Sequence, residues 1–220
     1  MQDHEKRDEA AKPAYLRPRD AAALVLIDRS AARPRVLMGK RSSRHVFMPE
    51  AYVFPGGKCD AGDHALPFCA DLHPAVMARL RSAPPAGLSA ARGRALALAA
   101  LRELEEETGI AAAAPADLSG LRLAARAITP PGYVRRYDTR FFVAFADEAG
   151  LDPAAARDSD ELHDIRWLDI DTDSCLNIPA ITRTVLLDVR ALLKARPALS
   201  PTEPVPFYRM LRGRAVRSFL

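Results

Sequence analysis

At 220 residues the chain accommodates one well-buried domain with appendages and is short for two independent domains. Apolar residues make up 49% and charged residues 27%, an ordinary soluble balance that separates neither enzyme from binding module. The net charge of +4 is carried almost wholly by arginine, with Lys6, Lys12, Lys40, Lys58 and Lys194 the only lysines, and no block of about five or six like charges and no zinc-finger, basic-helix or aromatic RNA-platform signature marks a nucleic-acid reader. Cys59, Cys69 and Cys175 form neither a close ligand pair nor a disulfide framework and suit a reducing cytoplasm. The charged stretch from Met1 to Asp20 lacks the apolar core of a signal peptide. No run approaches the roughly 18 apolar residues of a membrane span, so a cytoplasmic protein without membrane partners is expected.

Residues 1–20, with Pro13 and Pro18, read as a loosely ordered lead-in. The apolar run Ala21–Asp28 and the run Arg35–Arg41, joined by a turn around Arg33-Pro34, predict a hairpin. Ala51–Phe54 predicts a brief strand that Pro55-Gly56-Gly57 must stop, because proline removes a donor and glycine frees the backbone. From Lys58 to Arg94 the pattern loses regularity, broken by Pro67, Pro74, Pro84 and Pro85, and reads as an insertion. Ala95–Thr108, rich in Ala, Leu, Glu and Arg and closed by Gly109, predicts the strongest helix. Leu121–Ile128 and Thr139–Ala146, separated by Pro130-Pro131-Gly132, predict strands, as does Leu162–Leu168. Ile178–Ala195 shows helical spacing through Ile181, Val185, Leu186, Val189, Leu192 and Leu193. Its few basic residues suit packing on a sheet better than contact with anionic lipid. The Pro-rich stretch after Arg196 reads as irregular, and no internal repeat is present.

The segment Arg102-Glu103-Leu104-Glu105-Glu106-Glu107-Thr108-Gly109-Ile110 carries the chemistry. At about 100° per residue, Glu103, Glu106 and Glu107 share an arc of roughly 100° while Glu105 falls on the other side. Like charges on neighbouring turns cost about 0.2–0.5 kcal/mol per pair. Carboxylates in a last helical turn also face the negative end of the macrodipole, at about 0.3–1 kcal/mol each. Arg102 is near enough to help, but one guanidinium cannot neutralise three carboxylates. A solvated acidic face explains the charge alone. The apolar stripe Leu96, Ala97, Ala100, Leu101 and Leu104 beside it instead places the acids at the border of the buried side, where unpaired carboxylates are costly. Clustered hard oxygens of this kind suit magnesium or manganese, whereas zinc would want the His or Cys this helix lacks.

Phe54-Pro55-Gly56-Gly57 followed by Arg102–Ile110 resembles the Nudix box, in which a glycine, five residues, a glutamate and seven further residues precede Arg-Glu-apolar-x-Glu-Glu-x-Gly-apolar. The second half is matched at every specified position. In the first half Asp63 stands where the family has glutamate, and Gly57 lies 45 positions before Arg102, which leaves about 31 additional residues before the helix. A similar insertion, with Val53-Phe54-Pro55-Gly56-Gly57-Lys58, is found in the branch that resembles coenzyme A diphosphatases. Arg136–Phe142, Ile181-Thr182-Arg183 and Val205-Pro206-Phe207-Tyr208 are further likenesses to it. The resemblance covers roughly residues 20–213, giving an expected organisation of lead-in 1–20, hydrolase domain 21–213 with an insertion at about 58–94, and tail 214–220.

This resemblance implies an α/β fold, an α/β/α sandwich with a mixed sheet between helices. It implies that Glu106, Glu107 and the carbonyl of Gly56 bind Mg2+ or Mn2+, that Glu103 orients a ligand or activates water, that Asp63 is a further candidate ligand, and that Arg102 braces the helix. Glu103 and Glu161 are the candidate general bases. Glu161 enters because it precedes Trp167 in a loop-to-strand region that approaches the site in this fold. Arg41, Arg44, Arg135, Arg136 and Arg140 are candidate phosphate partners, since guanidinium forks bind phosphate oxygens bidentately. Tyr52, Phe54 and Tyr137 are candidates to stack on adenine, although aromatics in strands are more often core. The histidines lack ligand spacing and carry no assigned role.

The expected activity is hydrolysis of a diphosphate linkage in a small nucleotide, coenzyme A or acyl-CoA first, by metal-activated water. ADP-ribose, dinucleotides or nucleoside triphosphates are the alternative substrates. A non-catalytic nucleotide-sensing module is the third reading, disfavoured because Glu103, Glu106 and Glu107 are all present. A homodimer is compatible with the sequence.

Overall fold

A computed structural model describes residues 16–43, 49–82, 88–112, 115–171 and 176–220. The strands are β1 (Arg19–Asp28), β2 (Arg35–Arg41), β3 (Tyr52–Val53), β4 (Gly56–Lys58), β5 (Phe68–Ala70), β6 (Ala116–Asp117), β7 (Arg122–Ile128), β8 (Tyr137–Phe145), β9 (Leu162–Asp169), β10 (Pro206–Leu211) and β11 (Arg214–Phe219). The α-helices are α1 (Pro74–Ser82), α2 (Ala90–Thr108) and α3 (Ala180–Ala195).

Nine strands form one mixed sheet in the order β11-β10-β7-β8-β1-β2-β3, with β4 also paired to β1 and β9 to β2; β5 and β6 form a separate parallel pair. The β1–β8 and β7–β10 ladders are parallel and the other ladders of the large sheet antiparallel. Because strand side chains alternate between faces, β1 sends Ala22, Leu24 and Leu26 into the core under α1 and α2. It sends Ala23, Val25 and Ile27 into the core under α3. A strand buried on both faces reads as a continuous apolar run, which is why Ala21–Ile27 shows no alternation. The expected sandwich with a mixed sheet between helices is therefore the observed fold.

The predicted hairpin forms with Ile27 opposite Val36. α2 begins five residues before the predicted start, because Ser89 caps it by accepting a hydrogen bond from the Arg92 N–H at 3.2 Å. The described part of the 58–94 stretch, residues 58–82 and 88–94, carries more regular structure than its prolines suggested. It holds β5, α1 and a short 3-10 turn at Ala61–Ala65, and Pro74 opens α1, where its missing N–H costs nothing.

The irregular tail read after Arg196 is corrected by β10 and β11, an antiparallel hairpin in which Leu211 faces Arg214. Its two-residue loop, Arg212-Gly213, has positive φ at both positions, 49° and 76°. This is the geometry that matches the twist of the flanking strands, reached here with Arg in place of the usual Asn or Asp. The lead-in expected for 1–20 lies outside the described residues as far as residue 15, and β1 is in register with β8 from Arg19 onward.

Candidate active site

Two backbone devices bring the acidic end of α2 against the strand-stopping glycines. Gly109 terminates the helix in the left-handed conformation at φ 72°, its N–H donating to the Glu105 carbonyl at 2.8 Å. Gly56 then donates its N–H to Glu107 Oε2 at 2.7 Å. A Cβ at Gly56 would stand 2.5 Å from the Ala22 carbonyl oxygen, and one at Gly57 would stand 2.3 Å from Glu103 Oε1, so both glycines are required for the carboxylates to lie on the backbone. From the other side the loop before β9 docks on the end of α2. Arg157 N–H donates to the Thr108 carbonyl at 2.9 Å and Ser159 Oγ to the Glu107 carbonyl at 2.8 Å. That loop carries Glu161, whose carbonyl accepts from Ser42 N–H at 3.0 Å.

Arg102 organises the acids. Its guanidinium meets Asp63 Oδ1 at 2.7 Å, Glu103 Oε1 at 3.0 Å and Glu106 Oε2 at 2.7 Å, and donates to the Lys58 carbonyl at 3.1 Å. Hydrogen bonding to Asp63, more than anything else, raises the Arg102 pKa above its ordinary value and keeps it cationic. Asp63, the candidate ligand, is buried and spent elsewhere: it accepts from Arg102 and from the Asp60 N–H at 2.7 Å, and it does not line the cavity described below. It ties the 3-10 turn to α2.

Glu107 is 3% exposed. Burial pushes its carboxyl up to about 8, with Glu103 and Glu161 adding repulsion, while the Gly56 N–H and the charge of Arg41 pull the other way. Burial likewise raises Glu103, against the pull of Arg102. A carboxyl whose pKa is higher folded than unfolded stabilises the fold below the unfolded value, and that contribution is lost as pH climbs through the folded value. Cation-free protein is therefore expected to melt lower at pH 9 than at pH 6, by about 4–8 °C for roughly 2 kcal/mol in a chain of this size. Magnesium should remove most of the difference. Melting curves in chelator across pH check this, and a flat profile would contradict it.

The same acids stand at one end of a cavity of about 850 Å³ that runs over the α3 face of the sheet. Glu103, Glu106, Glu107, Glu161, Gly56 and Gly57 line its acidic end, and Arg41 and Arg135 also face it. A second, more open cavity of about 630 Å³ adjoins Glu106 and Glu161. The other candidate arginines are placed differently. Arg140 is buried, donating to Asp20 Oδ1 at 2.6 Å, and Arg136 is buried, donating to the carbonyls of Thr129 and Leu16 at 3.0 and 2.6 Å. Arg44 lies outside the described residues.

Tyr137 lines the cavity, as does Phe54, which packs edge-on against Phe141 at 6.3 Å. Tyr52 is buried and bonded to Asp164. Residues with no assigned role in the sequence reading, Tyr133, Tyr208, Met210 and Arg217, also line the cavity. Tyr133 belongs to the loop between β7 and β8, and the other three arrive through the pairing of β10 with β7 and of β11 with β10.

The donor set fits a divalent cation by its chemistry: all hard oxygen, mutually repelling, and short of positive charge. Among the described residues, no three His, Cys, Asp or Glu side chains already converge on one point. Glu106 is turned to Arg102 and Glu107 to the Gly56 N–H. No helix of the described residues is long and apolar enough to cross a membrane.

Fold and site together define a class of protein, an α/β/α sandwich with a glutamate-bearing helix end set against a glycine turn. The family profile described as NUDIX domain matches residues 77–180. Among solved structures, the chain is similar to a NUDIX hydrolase from Alicyclobacillus acidocaldarius, with 25% identity, a TM-score of 0.59, and 78% of this chain and 90% of that one covered. It shares its fold with the NUDIX domain of Shewanella oneidensis NrtR complexed with ADP ribose, at 15% identity, TM-score 0.51 and coverage of 84% and 94%. A MutT NUDIX hydrolase from Burkholderia pseudomallei, at 19% identity, TM-score 0.50 and coverage of 79% and 99%, has the same fold. No curated protein matches. The profile match and the likeness to the Alicyclobacillus acidocaldarius hydrolase support a Nudix domain in this chain, and the other two structures show the fold alone.

Proposed function

We propose that this protein is a divalent-metal-dependent hydrolase of the diphosphate linkage in a small nucleotide, with coenzyme A or acyl-CoA foremost among its substrates. One observation carries the reading: burial and the charges of Glu103 and Glu161 disfavour ionisation of Glu107, and burial and the charges of Glu106 and Glu161 disfavour that of Glu103, at the end of a cavity that Arg41 and Arg135 also line. Acids at the end of α2 that Arg102 offsets only in part oppose both burial and the helix dipole, and a cation brought with substrate phosphates would offset both.

In this reading Glu106, Glu107 and the Gly56 carbonyl would hold Mg2+ or Mn2+. The bound ion supplies acidification of water and neutralisation of phosphoryl oxygens. Arg102 keeps Glu103 and Glu106 in place, and Arg41 and Arg135 receive phosphate oxygens through their guanidinium forks. Glu103 or Glu161 takes the proton of the attacking water. The water oxygen bonds to one phosphorus, the bridging P–O bond breaks, and two phosphate monoesters leave.

Incubation of the purified protein with magnesium or manganese and coenzyme A, acetyl-CoA, ADP-ribose, NADH or nucleoside triphosphates tests this. Release of 3′,5′-ADP and a phosphopantetheine product, abolished by chelator, is expected. Turnover of a different compound would keep the chemistry and replace the substrate. Absence of metal-dependent turnover on all of them would overturn the hydrolase reading.

A further inference from the structure

The end of the cavity farthest from the carboxylates is built by β10, β11 and the first turns of α3. In the sheet, β10 lies three strands from β1, roughly 14 Å across the ladder, a gap that a ribose and its phosphates span once side-chain lengths are subtracted. There Asp188 of α3 fastens two cavity-lining residues at once. It accepts from the Tyr208 hydroxyl and, at 2.8 Å, from Arg217. Tyr208 and Arg217 are directly opposite each other in the hairpin, and the guanidinium carbon of Arg217 stands 5.7 Å from the Tyr208 ring centroid. Burial and the Asp188 charge push the Tyr208 hydroxyl up to about 12, so it remains a donor to Asp188 throughout the physiological range. Ile181, Met210 and Val216 complete apolar walls, and Thr139 brings a hydroxyl.

We infer that Tyr208 and Arg217, locked by Asp188, form a subsite for the planar heterocycle of the nucleotide and so set specificity for the half of the substrate that is not hydrolysed. The inference rests on the hydrolase reading only in taking the carboxylate end as the phosphate end. A flexible acyl or pantetheine arm would be served by apolar walls alone. A ring and a guanidinium plane held without rotational freedom instead match a rigid π-surface, because little ordering entropy remains to be lost on binding. Aromatic stacking on a base is worth about 1–3 kcal/mol, or roughly 5- to 150-fold in Kd.

Titration calorimetry of the full chain with Mg-ADP, Mg-pyrophosphate and phosphopantetheine tests the subsite. Tyr208→Ala is expected to weaken ADP about tenfold or more and to leave pyrophosphate unchanged, while Tyr208→Phe retains most of the ADP affinity. Arg217→Gln, at a half-exposed side chain, gives a smaller loss of the same selectivity and serves if Tyr208→Ala does not fold. ADP affinity unchanged within twofold, equal losses for ADP and pyrophosphate, or a loss confined to phosphopantetheine would each overturn the inference. Tyr208-dependent ADP binding without turnover of any substrate would sustain the subsite and overturn the hydrolase; turnover with ADP binding indifferent to Tyr208 would do the reverse.

Discussion

Glu107→Gln is expected to lower metal-dependent turnover by at least about 10³-fold, the order of loss seen when one member of a concerted catalytic group is removed, and to make the cation-free protein more stable. The two effects have opposite signs for one reason. Glu107 is almost fully buried, its carboxylate accepts at 2.7 Å from the neutral N–H of Gly56, and Glu103 and Glu161 repel it. A glutamine keeps an oxygen for Gly56 and discards the charge, so the fold gains what the site loses. Stability held below its optimum for the sake of activity is the expected signature of such a group. Glu105→Gln is the control, because Glu105 is exposed on the opposite side of the same turn. Steady-state kinetics and melting curves on both variants decide the matter. Turnover of Glu107→Gln within tenfold of the parent, or a melting point below it in chelator, would refute this account.

Asp138→Ala is expected to cost about 3–5 kcal/mol of stability, the usual price of leaving a buried charge without its partner. Arg126 is 2% exposed and bidentate to Asp138, at 2.8 and 2.6 Å, with its guanidinium over the Phe207 ring at 4.6 Å. Arg140 approaches the same carboxylate at 3.3 Å and is held in turn by Asp20 at 2.6 Å. These strands present Arg126, Asp138 and Arg140 on one face of the sheet and Ala127, Thr139 and Phe141 to the cavity on the other. Replacing the pair together with Arg126→Met and Asp138→Leu should recover most of the loss, since a packed apolar pair avoids the desolvation of both ions. Chemical denaturation of the single and double variants measures this. A single-variant loss under about 1 kcal/mol would show that the pair is not the clasp of β7 and β8.

The tight geometry of the site explains why its core could be read one-dimensionally. Residues three and four apart on a helix share a face by the pitch alone, so Glu103, Glu106 and Glu107 are neighbours whatever surrounds them. The run Ala21–Ile27 likewise declares a central strand, because both of its faces must be apolar, and Gly109 declares a helix end. Other placements depended on residues far apart in the chain. Nothing within three turns of α2 shows that Asp63 would be consumed by Arg102, or that Arg136 and Arg140 would turn inward to Leu16 and Asp20 while Arg41 and Arg135 face the cavity. The β10–β11 hairpin was obscured by an Arg-Gly turn in place of the common signals and by strands whose exposure alternates only weakly.

By itself, then, the order of residues determined the local periodicities: the carboxylate arc, the glycine stops, the central strand and the amphipathic α3. Which arginines became structural and which face the cavity, and that Tyr208, Asp188 and Arg217 meet at all, only the tertiary structure decided. A charged side chain's role depends on the partner and the burial it meets after folding, and neither is encoded within a few residues of it.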